Sequence, residues 1–299
     1  MKYFENKAFT SSIRKEYLDS IIEFSNMSFP NIKSEDAYVN ELGYPLTLNK
    51  HEDISFKRIL LSKEEGFNIF RYTFTILGVI KMSGLLFEVD ETSPLVLMQH
   101  GYVGTPEVMS NIYEDRNTYN YNDIVKRLLS LKVNVFCPQL LMWSIKQYGV
   151  EYDRVILDKK LREKGSSIIA LETYCLKEIV HFFKQKSYKH INMFGMSYGA
   201  YYTYHVGYVS DELKTLWGCS FLTTNTNFEE MEFNTPLCDV IRKVFINKDL
   251  YITTGDHDPI MVYDEVYKFL DSLPNKEKIV IFDGDHEVYK SDEFLKSIL

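Results

Sequence analysis

From about residue 95 onward the chain alternates short apolar runs with helix-like segments, and no other feature constrains its fold as strongly. Residues 95–98, 133–137, 191–194, 216–222, 250–253 and 279–282 read as strands. Residues 121–131, 166–184, 198–208 and 260–272 read as helices, with one more before the chain ends. In 166–184, Leu176, Ile179, Val180 and Phe183 recur at i, i+3, i+4 and i+7, the stripe of a helix lying on a sheet. Strands separated by helices pair in parallel through right-handed crossovers. The expected architecture is therefore α/β, a mostly parallel, doubly wound sheet covered on both faces. Ahead of it, 54–61, 67–76 and 84–89 are rich in Ile, Phe, Tyr and Thr and are split by charged or Gly-containing breaks. They predict antiparallel strands. In such sheets ligands bind where loops leave the carboxyl ends of the parallel strands, so chemistry is expected there.

Composition narrows the function classes. Hydrophobic residues make up 45% and charged residues 25%, a balance that supports a sizeable core and excludes a disordered chain. Lys and Arg number 34 against 42 Asp and Glu, a net charge of −8 without a basic block. Such a field does not attract nucleic acid or anionic lipid. The four cysteines, Cys137, Cys175, Cys219 and Cys238, are scattered and form no CxxC pair. They read as reduced thiols of a cytoplasmic protein. The N-terminus lacks an apolar signal region. The longest charge-free stretch, 190–210, holds His190, His205, three Gly, Asn192, Ser197 and Ser210. It reads as strand, turn and helix, so no membrane span is expected. No repeat or linker divides the chain. Residues 1–50 are expected to form a partly helical extension, with a helix at 12–24, and 51–299 a single domain with inserts at 139–165 and 225–244.

The sharpest motif is Gly195-Met196-Ser197-Tyr198-Gly199, with a strand leading in and a helix led by Ala200 leading out. A tight strand-to-helix turn needs small residues on both sides of the central Ser, whose hydroxyl then projects above the sheet at a helix N-terminus. A hydroxyl is a weak nucleophile and needs a base held by an acid. Of seven His, His51 precedes the sheet, His181 and His205 lie within helices, and His190 opens a strand. His286 alone follows the last strand, in a loop that can return to the turn. The acid is expected after the preceding strand. Asp258 is chosen because Pro259 holds it extended before a helix, with Asp256 as the alternative. An N-cap would explain Asp258 equally well. Asp256-His257-Asp258 has no second His or Cys cluster beside it in sequence, so no metal is assigned. Gln99-His100-Gly101-Tyr102 follows a strand directly, and the backbone amides of Tyr102 and Tyr198 are the expected oxyanion donors. His100 reads as a structural residue of that loop. Trp143, Tyr148, Phe228 and Met231, in the two inserts, are the expected pocket residues, with ordinary packing an equal alternative.

With these four motifs in this order, residues 54–299 resemble the α/β-hydrolase superfamily, most closely its dienelactone hydrolase and acetyl-esterase branch. The resemblance implies an α/β-hydrolase fold with N-terminal antiparallel strands and small lid insertions. It implies a serine hydrolase that cleaves carboxylic esters through Ser197, His286 and Asp258, with no cofactor and a small-molecule ester as its partner. Many relatives carry Pro-Asp after the strand at 133–137, where this chain has Pro138-Gln139. A prolyl-oligopeptidase-like peptidase or amidase and an inactive hydrolase-fold binding protein are the alternative readings. Residues 1–50 are expected to cover a sheet edge or build a homo-oligomer contact.

Overall fold

The computed structural model describes residues 7–48, 50–102, 104–112, 118–141, 152–186, 188, 190–222, 231–260 and 263–299. Among these residues the strands form one nine-stranded sheet in the order β1-β2-β3-β5-β4-β6-β7-β8-β9. β1 (Ser55–Glu64), β2 (Phe67–Ile76) and β3 (Ile80–Glu88) form an antiparallel meander. β3 pairs antiparallel with β5 (Asn134–Pro138). From there the sheet is parallel: β4 (Leu95–Gln99), β6 (Ile191–Met196), β7 (Thr215–Cys219), β8 (Asp249–Gly255) and β9 (Ile279–Phe282). The expected α/β-hydrolase-type sheet with N-terminal antiparallel strands is what forms.

Ten helices cover it among the described residues: α1 (Lys7–Asn26), α2 (Ala37–Leu42), α3 (Pro106–Met109), α4 (Ile124–Ser130), α5 (Arg154–Arg162), α6 (Ile168–Gln185), α7 (Tyr198–Val209), α8 (Leu237–Asn247), α9 (Tyr263–Ser272) and α10 (Asp292–Ile298). Alternation along the strands sorts side chains into two cores. Leu95 and Leu97 of β4 and Met193 of β6 join α1, α6, α7 and α8 on one face. Val96, Met98 and Phe194 join α4 and α10 on the other. Burial on both faces makes the parallel strands near-continuous apolar runs. The Ile179, Val180 and Phe183 stripe of α6 lies fully within the first core. Ser167 caps that helix by accepting the Ala170 N–H at 3.0 Å.

The chain leaves β4 through α4 to β5 on one side, then crosses back through α6 to β6 on the other. The winding direction therefore reverses at β4, and a crevice opens beyond the carboxyl ends of β4 and β6.

The sequence reading joined the seventh and eighth strands without a helix. They pair in parallel, which requires a crossover. α8 supplies it, with Val240, Ile241, Val244 and Phe245 buried. The expected helix at 121–131 is divided, because Asn122 and Asp123 take left-handed φ values of 48° and 51° between a 3₁₀ turn at Thr118–Tyr121 and α4. No helix among the described residues is long and apolar enough to cross a membrane.

Candidate active site

Ser197 stands between β6 and α7 with φ 55° and ψ −124°, a backbone conformation that costs a non-glycine residue about 1–3 kcal/mol. Two close approaches enforce it. A Cβ on Gly195 would meet the Gly199 carbonyl oxygen at 2.2 Å, and one on Gly199 would meet the Gln99 carbonyl oxygen at 2.4 Å. The turn is thus pressed against the end of β4, and only glycine fits at either flank. The Ser197 N–H donates to the Cys219 carbonyl at 2.7 Å, tying the turn to β7 as well. Among the described residues its hydroxyl makes no hydrogen bond.

His286 lies in the loop after β9, and its Nδ1–H donates to Asp258 Oδ2 at 2.7 Å. The Asp258 side chain is fully buried and that of His286 is 14% exposed. Asp258 also accepts the Ile260 N–H through Oδ1 at 2.9 Å, so it caps the following turn and meets the imidazole at once. Asp256 is engaged elsewhere, accepting the Gly284 N–H at 3.2 Å and pairing with exposed His257 at 3.1 Å.

The His286 loop is tied down along its length. Asn122 donates through Nδ2 to Glu287 Oε2 and to the Val288 carbonyl, and the Val288 N–H donates to the Asn120 carbonyl at 2.7 Å. Arg127 donates to the Tyr289 carbonyl at 3.0 Å, and Cys219 Sγ and Ser220 Oγ donate to the Glu287 carbonyl. Gly101, Tyr102, Tyr121, Ser197, Ile260 and His286 lie around one cavity of about 190 Å³. Ser197 and His286 therefore share a solvent space at the crevice that the sheet topology creates.

The loop after β4 forms its wall. A Cβ on Gly101 would stand 3.3 Å from Ser197 Cβ. The Gly101 N–H donates to the Tyr121 hydroxyl at 2.9 Å. His100 is fully buried: Leu140 N–H donates to its Nε2 at 3.0 Å, and its Nδ1–H donates to the Gly101 carbonyl at 2.8 Å. These bonds fix the neutral tautomer. Burial pushes its pKa down to about 4, against a smaller opposing effect of the Gly101 bond. Thr105 caps α3, and Glu107 on that helix is buried between Arg14 of α1 at 2.6 Å and Arg71 of β2 at 2.9 Å. Burial alone would raise the Glu107 carboxyl, but the two guanidiniums outweigh it and hold it at about 2.

Tyr198, the residue after Ser197, opens α7, and its side chain enters a second buried network. Its hydroxyl lies 2.9 Å from that of Tyr202 and donates to Glu172 at 3.3 Å. Glu172 also takes the Tyr17 hydroxyl at 2.9 Å and the Leu141 N–H at 2.5 Å, and pairs with Arg154 at 3.5 Å. Tyr121, Asn122, Arg14, Glu107, Glu172 and Arg154 were missed by sequence reasoning. The one signal available was an acidic residue, Glu172, inside the apolar run Ile168-Ile169-Ala170-Leu171.

Of the expected pocket residues, Trp143, Tyr148 and Phe228 lie outside the described residues. Met231 is buried in the core on the α7 face, where its side chain packs against apolar neighbours.

The sequence matches no family model and no curated protein at a significant level. Its fold does match solved structures. An acetyl xylan esterase from Paenibacillus sp. R4 aligns over 93% of this chain and 99% of its own, at 10% identity and a TM-score of 0.59. The fold is that of the α/β-hydrolases. A cold-adapted esterase from an Arctic intertidal metagenomic library aligns over 80% of this chain and 97% of its own, at 13% identity and a TM-score of 0.57. An S-formylglutathione hydrolase from Agrobacterium tumefaciens covers 81% and 95%, at 11% identity and a TM-score of 0.51. The superfamily resemblance read from the motifs is borne out as a fold. The neighbours do not single out the dienelactone branch.

Proposed function

We propose that this α/β-hydrolase-fold chain is a serine hydrolase that cleaves small carboxylic esters. The observation that carries the reading is the buried Asp258–His286 pair at 2.7 Å, beside the same cavity as Ser197, whose backbone is strained and whose hydroxyl has no hydrogen bond among the described residues. Asp258 accepts the hydrogen bond from the His286 Nδ1–H, which leaves Nε2 as the nitrogen free to take a proton. In the proposed reaction the Ser197 hydroxyl attacks the ester carbonyl and passes its proton to His286 Nε2. Asp258 orients the imidazolium, and the backbone N–H groups of Tyr102 and Tyr198 receive the developing oxyanion. His286 then protonates the departing alcohol, and water attacks the acyl-enzyme by the same route. The residues supply every proton transfer, so the scheme needs no cofactor.

Residues 51–299 are read as one hydrolase domain and 1–50 as an extension integral to it. With all four cysteines free and three of them buried, the reading assigns the chain to the cytoplasm.

The test is Ser197→Ala assayed on p-nitrophenyl acetate. Turnover should fall by a factor on the order of 10³ or more, with an unchanged circular dichroism spectrum. A fluorophosphonate probe should label the parent chain and not the variant. Ester cleavage at the parent rate by Ser197→Ala would falsify the proposal. Faster cleavage of aminoacyl amides than of aryl esters would favour the peptidase reading instead.

A further inference from the structure

At the amino ends of β6 and β7, the end away from Ser197, three segments bring together side chains that the proposed catalysis does not use. α6 ends there, where β6 begins, and the connection from α7 to β7 turns at the same end. His181 of α6 donates its Nδ1–H to Glu212 Oε1, in that connection, at 2.9 Å. His51, in the segment before β1, stacks on His181 with ring centroids 3.6 Å apart and planes within 6°. One donor atom each from His51, His181 and Glu212 lies within 4.8 Å of those of the other two.

The surroundings treat these groups as ligands in waiting. Glu178 is buried and takes the His51 Nδ1–H at 3.0 Å through Oε1 and the Glu52 N–H at 3.2 Å through Oε2. It thereby orients the ring, as carboxylates do for metal-bound imidazoles. Glu212 Oε2 is buried and receives no hydrogen bond among the described residues. A carboxylate oxygen withdrawn from water without a donor is costly, and a cation would relieve that cost. The His181 Nδ1 to Glu212 Oε1 separation of 2.9 Å is already that of two ligands on one ion. The remaining contraction falls on His51, whose side chain is 36% exposed on a loop.

We propose that His51, His181 and Glu212 form a binding site for a divalent transition-metal ion, Zn²⁺ by donor chemistry. Two imidazoles and one carboxylate are borderline nitrogen and oxygen ligands, which suit zinc and not the oxygen-seeking Mg²⁺ or Ca²⁺. Binding puts the metal in place of the proton between His181 and Glu212, and the neutral imidazole keeps that proton on Nε2 by a change of tautomer. Water completes the tetrahedral shell. The site lies at the amino ends of β6 and β7, the end away from Ser197, so a bound ion would act as a clasp joining the segment before β1, α6 and the α7–β7 connection. The proposal is independent of the catalytic reading.

The experiment is calorimetric titration of the full-length, chelator-dialysed protein with zinc chloride. One equivalent should bind to the parent chain and to Ser197→Ala alike. His51→Ala, His181→Ala and Glu212→Gln should each weaken binding by at least tenfold. Saturating zinc should raise the Tm of the parent and leave that of His51→Ala unmoved. Cobalt should give the parent a ligand-field absorption band that His51→Ala lacks. His257→Ala separates this site from the exposed Asp256, His257 and Asp283 cluster and should bind as the parent does. Absence of binding to the parent overturns the proposal, as does parent-like affinity in His51→Ala, which decides the matter if His181→Ala fails to fold. Loss of binding in His257→Ala alone also overturns it.

Discussion

At the scale of single residues, the candidate site depends on which of two aspartates meets the imidazole. Asp256 and Asp258 stand two positions apart after one strand, with Pro259 favouring Asp258. The chain turns between them, so Asp256 reaches the Gly284 amide and Asp258 reaches His286. Asp258→Asn should lower kcat on p-nitrophenyl acetate by a factor on the order of 10⁴, because an amide can donate to Nδ1 and hold the wrong tautomer. Asp256→Asn should leave kcat within about threefold of the parent, since it touches neither Ser197 nor His286. Equal losses in the two variants would mean that the buried pair is only an N-cap arrangement. Ser197 and its glycines were legible because a strained turn admits few residue types. The choice of acid was legible only in part: Pro259 favoured Asp258, but the direction of the loop, which sequence does not dictate, decides against Asp256.

At the scale of elements, two buried imidazoles link helices and loops to pH. His100 joins the loop after β4 to the segment after β5. His205 of α7 donates to the Tyr201 carbonyl at 2.7 Å and accepts the Tyr38 hydroxyl of α2 at 2.6 Å. Burial holds both near a pKa of about 4. An unfolded imidazole takes up its proton near 6.5, so between 6.5 and 4 the unfolded chain binds more protons than the folded one. Their stabilising contribution is complete above pH 6.5 and is lost as pH falls from there toward 4. A shift of this size amounts to about 3 kcal/mol for each group. Urea midpoints should therefore fall between pH 7.5 and pH 4.5, and His205→Gln, which cannot titrate, should remove about half of that slope. A midpoint independent of pH over this range would show that neither ring must stay neutral. His205 sits within a run of Tyr and Val that reads as a core helix, so its burial was foreseeable. Its partner in α2 was not, because more than 160 residues of sequence separate them.

At the scale of the whole molecule, α1 is packed onto one face of the sheet as part of its core. Tyr17, Leu18, Ile21 and Phe24 of α1 are buried in the core that includes β3 and α6. Arg14 passes through to Glu107 and also donates to Gln139 at 3.2 Å, so α1 reaches the helix that follows the His100 loop. Arg14→Met should cost about 3 kcal/mol, the lower end for breaking a buried ion pair, because Arg71 remains beside Glu107. Ester turnover should fall with it, read from urea midpoints and kcat on the same preparation. Parent-like stability would mean that α1 merely rests on the sheet. The sequence by itself determined the alternating architecture, the turn at Ser197 and the late His, because hydrophobic period and glycine placement act over a few residues. Tertiary structure alone decided that Asp258 faces His286, that Arg14 neutralises Glu107, and that His51 stacks on His181. Those contacts join residues from 28 to 130 positions apart, and long-range burial, not local preference, selects them.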